Sequence, residues 1–263
     1  MPVTETNRPR VLAIAMQKGG VGKTTTAINL AACLAQLGQR VALLDMDPQA
    51  NSTKGLSVDI GPNDASMFEV LVDEEEDRVL LADALIGSKW AVWVGAAHRA
   101  MRKLERYGLG PGGYARFARQ VLDLDLDVVI LDCPPNLGEL TVAALTAADS
   151  VLATVVPGPD EIDALIELQR SVKETRENLN PRVNIDYVIS PIFDARTTVA
   201  KDVRRSLSTE WTTEYLGEIS MTVRVKEAKN VRTPLVFYAP NEYASQDYWR
   251  IAKLINERMP VHV

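Results

Sequence analysis

The chain has 263 residues, 46% of them hydrophobic and 24% charged, with a formal net charge of −6. That is material for one large α/β domain with an ample core; no apolar run approaches the ~20 residues that cross a bilayer, and a surface coated all over in positive charge is ruled out, though a local basic patch is not. Two cysteines (Cys33, Cys133) make no disulfide framework, and two histidines (His98, His262) give no zinc-ligand spacing.

RVLAIAM (10–16) reads as a buried strand running into a glycine-rich turn. TTTAINLAACLAQLG (24–38) follows as a helix, with Ile28, Leu30, Ala31, Leu34 and Leu37 at helical spacing and Gly38 as its stop. RVALLDMD (40–47) is the second strand. Neither strand alternates, as expected when helices cover both faces of a parallel sheet. The stretch 55–120 is less regular. It holds an acidic surface run, DEEED (73–77), a strand WAVWV (90–94), and a turn GLGPGG (108–113). DVVILD (127–132) and SVLATVV (150–156) are buried strands with a helix, 138–148, between them. A long helix over 160–178, a strand over 183–190, a helix over 197–209, a strand over 215–219 and a final helix over 243–258 complete the chain. This alternation predicts a doubly wound α/β fold, a mostly parallel sheet with helices on both faces.

KGGVGKTT (18–25) lies between the first strand and the first helix. Gly19, Gly20 and Gly22 allow turns in which successive amides face one anion, and the helix start adds its positive dipole end. Val21 and Thr25 belong to the same cradle. Lys23 meets the outer phosphates of a nucleoside triphosphate such as ATP, and the Thr24 hydroxyl meets Mg2+. Two acidic segments complete the site. LLDMDPQAN (43–51) carries Asp45 and Asp47 at a strand end, with Asp45 expected in the network around Mg2+. VVILDCPP (128–135) ends in Asp132, expected behind the metal. No histidine lies near Cys133 in sequence, which argues against a nucleophile there.

The usual pattern G-x-x-x-x-G-K-[ST] fails at its first glycine, which is Gln17, and a second lysine, Lys18, stands beside it. This resembles the deviant P-loop of the ParA, Soj and MinD partition and cell-division ATPases. The resemblance extends through AIAMQKGGVGKTTTAINLAACLAQLGQRVALLDMDPQANST, ILDCPPNLGELTVAALTAAD, FDART (193–197) and the V-R-x-x-E-A core at 223–228, about two thirds of the chain. It is loose over 58–120, and Asn230–Arg232 depart from it. It implies that Lys18 reaches a partner subunit's phosphates, so that the protein becomes a homodimer when ATP is bound. It implies that Asp47 orients the attacking water; an ordinary aspartate, with a pKa of about 3.9, is a poor proton acceptor. It also implies that Cys133–Gly138 senses the γ-phosphate, that the dimer binds double-stranded DNA without sequence preference, and that a ParB-like centromere-binding protein stimulates hydrolysis. The chain is expected to be one domain over 1–263, without an N-terminal helix-turn-helix extension, in the cytoplasm.

Between Arg196 and Arg232 stand eight basic and five acidic residues, a local net of +3 against −9 elsewhere. The resemblance puts a DNA-binding face here, with Arg224 foremost and Lys201, Arg204, Arg205, Lys226, Lys229 and Arg232 beside it. A second cluster, Arg99, Arg102, Lys103 and Arg106, shares one face of a possible helix, with Arg116 and Arg119 following; it reads as an ordinary solvated face or an auxiliary surface. Three alternatives stay open. One is a MinD-like positioning ATPase acting on a membrane, although the tail DYWRIAKLINERMPVHV reads as a helix docked on the core. Another is a metabolic enzyme on the same scaffold, and the last is a positioning ATPase with a cargo other than DNA.

Overall fold

The computed structural model describes residues 8–61, 64–158 and 161–259. The first residue of the expected 160–178 helix and the tail 260–263, with His262, lie outside them. The strands are β1 (Arg10–Ala15), β2 (Val41–Asp45), β3 (Leu85–Gly87), β4 (Val92–Gly95), β5 (Val128–Asp132), β6 (Ser150–Thr154), β7 (Asn184–Phe193) and β8 (Tyr215–Ser220). They form one sheet in the order β3-β4-β2-β5-β1-β6-β7-β8, parallel at every pairing except β3 with β4.

Side chains alternate across this sheet, which explains why the central strands are apolar throughout. Val11, Ala13, Val129 and Leu131 pack on one face; Leu12, Ile14, Val128 and Ile130 pack on the other. The first face is covered by α5 (Gly113–Leu122), α6 (Glu139–Ala147) and α7 (Glu161–Asn178), the second by α1 (Lys23–Gln36) and α11 (Tyr243–Arg258). The expected final helix is therefore docked: Tyr248, Ile251, Ala252 and Ile255 are buried within the core. Among the described residues, no helix is long and apolar enough to cross a membrane.

The less regular middle holds α2 (Asn51–Gly55), α3 (Met67–Leu71), β3, β4 and α4 (Arg102–Tyr107). Short elements of three to six residues leave little periodicity to read. The region after β7 holds α8 (Thr198–Glu210), α9 (Arg224–Asn230) and α10 (Leu235–Tyr238). β7 continues three residues past 190, its register with β8 slipping between Ser190 and Phe193. The crossovers through α1 and α6 lie on opposite faces, so the carboxyl ends of β1, β2 and β5 open onto one crevice. In an open α/β sheet such a crevice is where ligands bind.

Candidate active site

Residues 16–22 link β1 to α1 at that crevice, and 23–25 open the helix. Gly20 and Gly22 have φ of 77° and 79°, left-handed values open to glycine at little cost. A Cβ on Gly22 would also sit 3.1 Å from the Pro191 ring. α1 begins at Lys23, so its first amides point into the loop. Lys23 is buried, and burial lowers its pKa, offset in part by Asp132. Its ammonium donates to the carbonyls of Met16 (3.0 Å) and Lys18 (2.7 Å), holding the loop closed around itself.

Asp45 and Asp132 end neighbouring strands and are register partners, both fully buried. Burial raises the pKa of both; the charge of Asp132 raises that of Asp45 further, and the charge of Asp47 that of Asp132. Their partners differ. Asp45 Oδ2 accepts from the amide (2.8 Å) and hydroxyl (2.8 Å) of Thr53, and its Oδ1 accepts from the Asp47 amide (3.2 Å). Asp132 Oδ2 accepts from the Ser52 hydroxyl, and the nearby Thr24 hydroxyl also favours its charged form. Its Oδ1 is buried with no hydrogen-bond partner among the described residues. Asp45, expected beside the metal, is thus engaged in holding the start of α2, while Asp132 keeps a free oxygen.

Asp47 is half-buried and opens onto the cavity, its Oδ1 accepting from the Gln49 amide at 2.9 Å. Lys18 turns toward α7, where its ammonium donates to Glu161 Oε1 at 2.6 Å. Glu161 is buried. Cys133 is buried, and burial pushes its thiol pKa far up, so no thiolate nucleophile forms there. Cys33 is a free core residue, its thiol pushed up to about 12.

The cavity over these residues measures about 430 Å³. Its lining combines the loop, Asp47 and Pro135 with a group of apolar side chains, Ile28, Ile192, Val225 and Leu235, drawn from four separate elements. Ile192 has a φ of 58°, which a β-branched residue rarely adopts, at the point where β7 slips its register. Sequence reasoning missed this apolar lining and also missed Ser52, Thr53 and Glu161. A hydroxyl pair seven and eight residues past a strand-end aspartate was the one available signal, and nothing in sequence links Lys18 to Glu161.

The expected basic patch is present but largely neutralised. Arg204 pairs with Glu218, Arg205 with Asp202 (3.7 Å), and Arg224 with Glu227 (2.7 Å) and Glu242 (3.8 Å). Arg232 pairs with Asp59 (2.7 Å), and Arg196 with Asp194 (2.7 Å). Lys229 lines the cavity and reaches Asn51 Oδ1 at 3.4 Å. Lys201 and Lys226 are exposed, with no carboxylate partner among the described residues.

Sheet order, cradle and paired strand-end aspartates define a P-loop nucleoside triphosphatase. A family model described as an AAA domain matches residues 9–185. The sporulation initiation inhibitor protein Soj of Bacillus subtilis is 33% identical over 93% of this chain and 97% of its own. The chromosome partitioning protein ParA of Caulobacter vibrioides is 35% identical over 96% of each. Among solved structures, cobyrinic acid a,c-diamide synthase of Mycobacterium smegmatis, with a bound ATP analogue and magnesium, superposes with a TM-score of 0.80 at 29% identity, covering 95% of both chains. The chain belongs to the ParA/Soj family of partition ATPases, within the ParA/MinD superfamily.

Proposed function

We propose that this protein is a DNA partition ATPase whose cofactors are ATP and Mg2+. ATP binding drives a sandwich dimer that holds nucleoid DNA without sequence preference, and hydrolysis, stimulated by a ParB-like partner, releases it. The observation that carries this reading is a second lysine, Lys18, at the mouth of a phosphate cradle, in a chain a third identical to Soj and ParA along almost its whole length.

The residues present fit the metal. The buried Asp132 Oδ1 has no donor among the described residues, and the Thr24 hydroxyl lies near enough to favour the charged carboxylate, so these two would hold Mg2+, directly or through water. Mg2+ supplies charge neutralisation on the phosphate oxygens. The chain's own residues do the rest. Amides at the start of α1 and the Lys23 ammonium bind the phosphates, and the apolar lining of the cavity takes the base. Asp47, on the cavity wall and anchored through Gln49, orients water toward the outer phosphate. Asp45 positions Asp47 by accepting its amide, and it fixes α2 through Thr53. Lys18 leaves Glu161 to complete the partner's site.

The test is duplex DNA binding at low salt with ATP, with ADP and without nucleotide, alongside phosphate release. Asp47→Ala is expected to bind ATP, lose hydrolysis by at least about a hundredfold and stay on DNA. Lys23→Ala is expected to lose the difference between nucleotides. Normal turnover in Asp47→Ala would refute the role given to Asp47, and DNA binding indifferent to nucleotide would refute the cycle.

A further inference from the structure

The family reading looks to the C-terminal basic segment for DNA, yet most of its arginines are already paired with carboxylates. The opposite holds at α4. Arg99, in the short 3-10 turn Arg99–Met101, is followed on α4 by Arg102, Lys103 and Arg106. The spacing of i, i+3, i+4 and i+7 puts all four on one side over roughly 10 Å. All are exposed, and among the described residues none pairs with a carboxylate. Only aromatic rings lie near two of them: Phe68 is 5.9 Å from Lys103 Nζ, and Tyr107 is 5.4 Å from the Arg106 guanidinium.

The single acidic side chain of α4 points elsewhere. Glu105 accepts from the Leu140 amide (3.3 Å) and the Asn136 side chain (3.4 Å), gripping the loop that follows Asp132. The charged side chains that α4 and the turn before it leave facing solvent are therefore all cations, in a chain of net charge −6. The same face of a second copy placed against it would repel it. Duplex DNA presents about one negative charge per 1.7 Å of axis, so a 10 Å cationic row meets several phosphates at once, and each neutralised phosphate releases counterions. An arginine already bonded to a carboxylate must first break that pair and gains less.

We propose that the outer face of Arg99, Arg102, Lys103 and Arg106 is a docking surface for the phosphate backbone of duplex DNA, additional to the C-terminal basic segment. This rests on the non-specific DNA binding proposed above, and the experiment separates the two. Full-length protein with a non-hydrolysable ATP analogue is titrated with a random-sequence duplex by fluorescence anisotropy at several salt concentrations. The variants are Arg99→Gln/Arg102→Gln/Lys103→Gln/Arg106→Gln and, for comparison, Lys201→Gln/Lys226→Gln. The quadruple variant is expected to lose at least tenfold in affinity at the lowest salt, and its log–log salt slope is expected to flatten by about 3. Basal ATP hydrolysis is expected to stay as in the wild type. Should the quadruple variant unfold, Arg106→Glu alone serves, with an expected flattening of about 1. Unchanged affinity and slope in a variant whose wild type binds DNA would overturn this surface and leave the partition reading standing. A wild type that binds no duplex at low salt removes the DNA reading itself, and this surface with it. If the face captures a polyglutamate peptide but no duplex, it is a protein-docking face, and the proposal is likewise overturned.

Discussion

Replacing Asp132 by asparagine should stabilise the nucleotide-free protein while disabling it. The carboxylate is fully buried, one oxygen accepts from Ser52, the other has no partner among the described residues, and Asp45 is its register partner on the next strand. A buried, half-satisfied charged group costs about 1–3 kcal/mol or more. Asparagine keeps an oxygen for Ser52 and removes the charge, so a gain of about 1–3 kcal/mol is expected, or roughly 2–10 °C in Tm for a chain of this size. Because burial raises the Asp132 pKa above its unfolded value, the native state binds more protons in that window, and wild-type stability falls as pH rises through it. The advantage of Asp132→Asn should therefore be full at pH 7.5 and shrink as the pH is lowered through the raised range toward the ordinary carboxylate value. Differential scanning fluorimetry with and without Mg-ATP reads both effects, and the ligand-induced rise in Tm should be small in the variant. A variant less stable than wild type at pH 7.5, with an undiminished Mg-ATP shift, would show that Asp132 is a structural hydrogen-bond acceptor and nothing more.

Three further outcomes are expected. Gly22→Ala forces a Cβ onto a residue at φ 79° and to 3.1 Å from Pro191, so nucleotide affinity should drop at least about tenfold by calorimetry; a change under twofold would mean the loop relaxes freely. Lys18→Ala strands the buried Glu161 carboxylate and should lower Tm; adding Glu161→Gln should restore Tm but leave ATP-dependent dimerisation lost, as read by light scattering. A dimer in the double variant would remove Lys18 from the interface. Ile251→Ala empties a fully buried site between α11 and α1 and should cost about 2–5 kcal/mol in a urea titration. Pelleting of the wild type with anionic liposomes would contradict a docked α11.

The cradle, the central strands and the strand-end aspartates were legible because each is a local matter. Glycines at 19, 20 and 22 next to a strand dictate one backbone shape, and unbroken apolar runs such as VVILD belong to strands covered on both sides. The final helix was legible for the same reason, its apolar stripe matching the face that α1 covers. What the sequence could not decide was which distant groups meet. Lys18 and Glu161 are 143 residues apart, Ser52 and Asp132 are 80 apart, and the apolar lining of the cavity is drawn from four elements. Charge shows the difference most plainly. Counting residues located a basic segment near the C-terminus, but free charge depends on neighbours in space, and there folding sets arginines against carboxylates. On α4 and the turn before it, folding turns the lone acid inward and leaves four cations facing solvent. Backbone shape follows from short-range sterics that adjacent residues set, whereas ion pairing and desolvation act through space, so only the tertiary structure determines them.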